Sequence, residues 1–235
     1  MQFDLIKCGL CDSGHLNNLG KKIILKLIMK NFVVTMTPMR ISFVGGGSDL
    51  KEFYTRSPGS VLSTTINKYM YIFLHPFFDN RIQIKYSKTE LVDQINDIKH
   101  PIVREILKKF DLVGIDINSI ADIPAGTGLG SSSSYTVGLL NALYKYTNQQ
   151  VSPELLAGKA CEIEINILQE PIGKQDQYAA AYGGLNLIQF LPDGKVKVEP
   201  LKMGNRVIKN LQQNLFLKQF LKTQLTQLLD LLINE

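Results

Sequence analysis

Tryptophan is absent, histidine and cysteine occur three times each, and no apolar run is long enough to span a bilayer. Each shortage closes off a class of function. The last histidine is His100, so no serine downstream of it can be followed by an Asp and then a His in hydrolase order. Three cysteines cannot form a disulfide framework. Cys8 and Cys11 make a C-x-x-C with His15 nearby, but a structural zinc site needs four ligands and only Cys161 remains as a thiol, so free cytosolic thiols are expected. The apolar run Ile23–Met29 is short, broken by Lys26 and too far into the chain for a signal peptide, which makes a cytoplasmic protein without membrane attachment the expectation.

Concentrated charge is also lacking. The chain has 26 basic and 21 acidic residues, a net charge of +5. Residues 1–35 carry five lysines and two acids, and residues 202–235 carry five basic and two acidic residues. That leaves 16 basic against 17 acidic groups in residues 36–201, so the central body is not a basic surface for nucleic acid. At 235 residues and 45% hydrophobic content, the chain can build one large domain or two small ones around a real core.

The hydrophobic pattern places elements along this body. Val33-Val34, Ile41 and Phe43 begin a strand pattern, and residues 61–74 (VLSTTINKYMYIFL) are β-branched and aromatic enough for one or two strands. Helical spacing of Leu91, Ile95, Ile102, Ile106 and Phe110 predicts a helix from Glu90 to Phe110, interrupted near Pro101. Residues 112–120 alternate as a half-buried strand. A helix runs through Val137, Leu140 and Tyr144 to about Tyr146. Ser152-Pro153 opens another, with Leu156, Ala160, Ile163 and Ile167 on one stripe. The segments LNLIQF and KVKVEP flank Pro192-Asp193-Gly194 as a hairpin. Without a strict βαβ rhythm, the fold class is α+β.

Between the 112–120 strand and the following helix lies Asp122-Ile-Pro-Ala-Gly-Thr-Gly-Leu-Gly-Ser-Ser-Ser-Ser134. Strand, glycine-rich loop and serine-rich helix start form the layout of a phosphate site. Glycines let amides approach the oxygens, and the helix N-terminus adds open donors and a positive dipole. Serine hydroxyls serve there as caps or as ligands to a phosphate-bound metal. The stretch is not a Walker loop, which needs Lys where Ser131 stands, and not a G-x-G-x-x-G fingerprint, whose third glycine falls one place later than Gly130.

Pro124-Ala-Gly-Thr-Gly-Leu-Gly-Ser-Ser-Ser resembles the second motif of the galactokinase, homoserine kinase, mevalonate kinase and phosphomevalonate kinase (GHMP) superfamily. Residues 37–50 (TPMRISFVGGGSDL) resemble its first motif. Glu162-Ile-Glu164, residues 173–178 (GKQDQY) and Tyr182-Gly-Gly184 resemble its acidic helix and loop. The variants GGGSDL and PIGKQDQYAAAYGG are most similar to those of the D-glycero-D-manno-heptose 7-phosphate kinases, with fucokinases as near relatives. The likeness covers about Val33 to Leu201.

This resemblance implies a GHMP N-terminal ATP-binding domain over 33–201, a mixed sheet with helices packed on it in the manner of ribosomal protein S5 domain 2. Residues 1–32 then form an atypical extension. Residues 202–235 form a remnant or divergent tail where the family has its C-terminal domain and third glycine motif, so the chain looks like a fragment. Gln212 to Leu217 resembles the strand that opens that second half.

The implied activity is ATP-dependent phosphorylation of the anomeric hydroxyl of a heptose 7-phosphate or related sugar, feeding lipopolysaccharide precursors. Another small-molecule kinase of the family (fucokinase, galactokinase or mevalonate kinase-like) and a non-catalytic nucleotide- or sugar-binding remnant are the alternatives. The implied cofactors are ATP and Mg²⁺ and the partner is a small sugar phosphate; a homodimer is left open. Pro124, Gly126, Thr127, Gly128, Leu129, Gly130, Ser131, Ser132 and Ser133 would wrap the phosphates. Asp176 would take the acceptor's proton, with Arg40 holding it ionised. Gly46, Gly47, Ser48 and Asp49 would meet the sugar, and Ser131 and Glu164 the metal. Glu162, two places away on a helix, would point elsewhere, and Lys108-Lys109 would be a solvated face.

Overall fold

The structure, a computed structural model, describes residues 32–214. Cys8, Cys11 and His15 lie outside them. Seven strands form one sheet: β1 (Val33–Val44), β2 (Gly59–Pro76), β3 (Ile82–Lys85), β4 (Thr89–Val92), β5 (Ile115–Ala121), β6 (Leu185–Phe190) and β7 (Val196–Pro200). The order is β4-β3-β5-β2-β6-β7, with β1 on the other side of β2. β2 is 18 residues long and organises the sheet. Its first half pairs with β6 and its second half with β5, while β1 runs antiparallel along nearly its whole length. Among the described residues only β3 and β5 pair in parallel, joined by the crossover that contains α2 (Pro101–Phe110), the helix that follows the short α1 (Lys51–Tyr54). The single sheet with helices segregated on it agrees with α+β.

Alternation decides which face is covered. Met70, Ile72 and Leu74 of β2, Ile82 and Ile84 of β3, and Ile115 and Ile117 of β5 point one way and are buried. On them pack α2, through Ile102, Val103, Ile106 and Leu107, and α3 (Ser131–Tyr146), through Leu139, Leu140 and Leu143. Each such side chain contributes about 1.5–3 kcal/mol on burial. Gly138 lets α3 come close: a Cβ there would sit 2.7 Å from Thr37 Oγ1, and Thr35 Oγ1 donates to the Gly138 carbonyl at 3.0 Å. On the opposite face Val34, Met36 and Ile120 are exposed.

Four expectations are corrected. The helix begins at Pro101 rather than Glu90, because residues 89–92 pair with β3 and the chain turns at Ile95–Asp97. Glu90 is buried and Leu91 exposed, the reverse of the helical reading. The Glu90 carboxylate accepts from Lys99 N, His100 N and Tyr86 Oη, so it can leave water fully bonded. The helix opened by Ser152, whose Oγ accepts from Leu155 N at 3.2 Å, continues beyond α4 (Pro153–Cys161) as a π-helical turn over Glu162–Ile167. The widened turn moves Ile167 off the buried stripe and leaves it exposed. Lys109 is not merely solvated, since it pairs with Glu162. Finally, residues 212–214 end helix α6 (Asn205–Asn214) instead of opening a strand.

Candidate active site

Three segments meet at the start of α3. The loop between β5 and α3 holds Gly126, Gly128 and Gly130 at φ of 81°, 73° and 75°, left-handed values that suit glycine. Gly130 is the residue before the helix and no side chain caps it. The serines are therefore not caps. Ser132 and Ser133 hydroxyls donate to Glu164 at 3.2 and 2.8 Å, and Ser134 donates to the Pro38 carbonyl. With Ser134 N the first amide to find its helical acceptor, at Gly130, the amides before it are the helix's open donors. Gly126 and Gly128 are exposed, with open space where a Cβ would stand. Leu129 turns inward instead and packs with Met39 and Ile123, so its side chain anchors the loop rather than lining it.

The second segment is β1. Arg40 N donates to the Leu129 carbonyl at 3.1 Å and Arg40 Nη1 to the Gly128 carbonyl at 2.7 Å, which ties this strand to the glycine loop. The third is α5 (Gln175–Tyr182), whose second residue is Asp176. Arg40 Nε and Nη2 both reach Asp176 Oδ1, at 2.8 and 2.6 Å. Asp176 Oδ2 lies over Gly130, where a Cβ would stand 3.3 Å from it. Burial raises the pKa of Asp176, while the Arg40 charge and hydrogen bonds oppose the rise. The result is a half-sheltered carboxylate, its side chain 23% exposed, held by one oxygen at the mouth of the glycine loop.

The GGGSD loop behaves differently from expectation. Gly46 and Gly47 are exposed. Ser48 Oγ, however, donates to the Gly45 and Ser60 carbonyls and accepts from Ser60 N, so it is engaged within the loop. Asp49 is 2% exposed; its carboxylate accepts from Gly47 N, Gln175 N and Gln175 Nε2. These two side chains shape the loop and clamp it to the start of α5 instead of presenting themselves to a sugar. The buried carboxylate can do this because Gly173 has no side chain: a Cβ there would collide with Asp49.

Glu164 is the inward member of its pair, and Glu162 faces out to Lys109 and Lys159. Glu164 is 0% exposed and accepts from Ser132, Ser133, Thr136 and Gln177 Nε2. Burial is the largest influence and raises its pKa. All its lone-pair positions face protein donors, and Ser131 is not among them. The pair Ser131 and Glu164 therefore does not fit a magnesium ion; Glu164 braces α3 against the π turn. Among the described residues no group of three or more His, Cys, Asp or Glu could hold a metal.

Beyond Ser131 and Gly126 the glycine loop opens into a cavity of about 460 Å³ lined by Met70, Tyr86, His100, Ile102 and Tyr135. Sequence reasoning missed these residues, together with Gln175 and Gln177. Tyr135 was legible in principle, standing four places after Ser131 on the same helix face.

A family profile described as "GHMP kinases N terminal domain" matches residues 96–184, the stretch that holds both the glycine loop and Asp176. That stretch is similar to a GHMP kinase N-terminal domain. The D-glycero-alpha-D-manno-heptose 7-phosphate kinase of Campylobacter jejuni is 32% identical over 191 residues, covering 76% of this chain and 56% of that protein. A crystal structure of a D-glycero-D-manno-heptose 1-phosphate kinase from Bacteroides thetaiotaomicron superposes with a TM-score of 0.71 at 30% identity, covering 76% of this chain and 62% of that one. A putative sugar kinase from Campylobacter jejuni gives 0.64 at 29%, covering 78% and 60%. The chain thus spans a little over half the length of this curated relative. Among its described residues no helix is long and apolar enough to cross a membrane.

Proposed function

We propose that this chain belongs to an ATP-dependent sugar kinase that transfers the γ-phosphoryl group to the anomeric hydroxyl of a heptose 7-phosphate or related sugar. The observation that carries the reading is the place of Asp176: Oδ1 is tied to Arg40, which is itself tied to the glycine loop, and Oδ2 stands at Gly130. Phosphoryl transfer asks the protein mainly for positioning and charge stabilisation. The amides of the loop and the first turn of α3 would bind the phosphate oxygens. An acceptor hydroxyl beside Asp176 Oδ2 would attack the γ-phosphorus as its proton passes to that oxygen. The bond from the γ-phosphorus to the β-bridging oxygen breaks, and ADP leaves. Arg40 would keep Asp176 ionised before the transfer and offset charge on the transferred group. The exposed backbone of Gly46 and Gly47 would face the acceptor, and the heptose-phosphate names of the relatives support the sugar class.

An ADP-release assay over heptose 7-phosphate, fucose and mevalonate tests the reading. Turnover with the heptose phosphate supports it; turnover only with fucose or mevalonate moves the acceptor to another family substrate. ATP binding without turnover on any of them favours a nucleotide-binding role. Asp176→Asn is expected to keep ATP binding and lose about 10²–10⁴ in rate. Near-wild-type turnover in that variant would refute its part as base.

A further inference from the structure

We infer that Ser42 and Gln175 read hydroxyls of the sugar acceptor, which makes them specificity-determining residues of the site that holds Asp176. This rests on the kinase reading above and adds to it the side chains that select the acceptor. With Ser48 engaged inside its loop and Asp49 2% exposed, the loop from Gly45 to Asp49 offers an acceptor mainly backbone. Open polar side chains must then come from the segments packed against it.

The strand supplies the first of them. In β1 Val34 and Met36 are exposed on the uncovered face, so unbroken alternation would send residues 40 and 42 the same way. The pairing with β2 shifts register between Pro38 and Arg40, and such an irregularity re-aims the side chains that follow. Beyond it, Arg40 and Ser42 both reach the start of α5. Arg40 Nε donates to Asp176 Oδ1, and Ser42 Oγ donates to Gln175 Oε1 at 2.6 Å. The catalytic carboxylate and the amide before it in the chain are thus supported by alternate residues of one strand.

The partners of the amide fix its orientation. Gln175 Nε2 faces Asp49 Oδ1 at 3.4 Å, and Gly47 N donates to that same oxygen at 3.1 Å. A carboxylate only accepts, so the NH₂ end points to Asp49 and the carbonyl end to Ser42. Sharing one acceptor puts the amide beside the exposed Gly47. The Nε2 bond is long, and its second hydrogen has no acceptor among the described residues. Ser42 Oγ gives its hydrogen to Gln175 and keeps its lone pairs. Ser42 is exposed and Gln175 half-buried, so both groups can be reached. One open donor and one open acceptor, held next to each other, match the neighbouring hydroxyls of a sugar. A site that hydrogen-bonds a substrate hydroxyl discriminates against the analogue that lacks it.

Equilibrium binding of ATP, heptose 7-phosphate, fucose and the monodeoxy analogues of both sugars to wild type, Ser42→Ala, Ser42→Thr and Gln175→Met tests this. Ser42→Ala and Gln175→Met should each weaken the sugar that wild type binds roughly three- to tenfold and leave ATP unchanged. For each variant one monodeoxy analogue should bind as it does to wild type, because the hydroxyl that the lost group reads is already missing. Ser42→Thr keeps the hydroxyl and should keep the affinity. Gln175→Met retains the backbone bond to Asp49, so its unfolding midpoint should stay near that of wild type. Unchanged sugar affinity in both variants, equal weakening of sugar and ATP, or a loss shared by every analogue would overturn the inference and leave the kinase reading standing. Wild type that binds ATP and neither sugar would also overturn it; wild type that binds none of the three would overturn the kinase reading as well.

Discussion

Replacing Arg40 with methionine keeps most of the side-chain volume and removes the charge that holds Asp176. Arg40 makes a hydrogen bond and an ion-pair contact to Asp176 Oδ1 and a hydrogen bond to the Gly128 carbonyl, with its side chain 12% exposed. At an effective dielectric of about 20, unit charges about 4 Å apart attract by ~4 kcal/mol. Removing one partner of a buried pair costs about 3–5 kcal/mol, because the other charge is left behind. Asp176 retains some exposure, so water carries part of that load and about 2–4 kcal/mol is expected. The loss must depend on pH. Burial raises the pKa of Asp176 and Arg40 opposes it, so in Arg40→Met the rise is unopposed. At about pH 8 the variant holds an unpaired carboxylate and the destabilisation is greatest; towards about pH 5 the carboxyl protonates and the difference shrinks. Urea unfolding of wild type, Arg40→Met, Asp176→Asn and the double variant at both values measures it. A destabilisation independent of pH, or strict additivity of the two substitutions, would refute the linkage.

Three other expectations follow from the same geometry. Glu164 has a raised pKa, with burial as the leading cause, so its contribution to stability is present below the unfolded value and lost as pH rises through the folded one. The melting temperature of Glu164→Gln minus that of wild type should therefore increase between about pH 5 and about pH 8; a difference that stays flat would contradict this. Gly173→Ala drives a methyl into the Asp49 carboxylate and should lower stability by about 1–3 kcal/mol or more, read by denaturant melts, whereas Gly158→Ala, which meets open space, should not. Cys161 is buried and its thiol is pushed up to about 12, so peptide mapping should find it unalkylated by iodoacetamide in the folded chain and alkylated in urea.

The resemblance of three local motifs was sufficient to expect the glycine loop, Arg40 and Asp176 at one place, and the structure brings them together. Glu164 over Glu162 was legible for a similar reason, as helical spacing lets only one of them face inward. The functions of Ser48, Asp49 and Glu164 were not legible. A short run of residues cannot say whether a hydroxyl or carboxylate meets a ligand or a backbone amide far away in sequence, and Asp49 finds Gln175 across 126 positions.

The sequence by itself determined the α+β class, the half-buried strand before the glycine loop and the members of that loop, since periodicity and glycine placement are properties of neighbouring residues. Only the tertiary structure decided which polar groups are engaged inside the protein and which remain open to a ligand. Burial and pairing depend on what packs from elsewhere in the chain, as Glu90 turning inward to hold residues 99 and 100 makes plain.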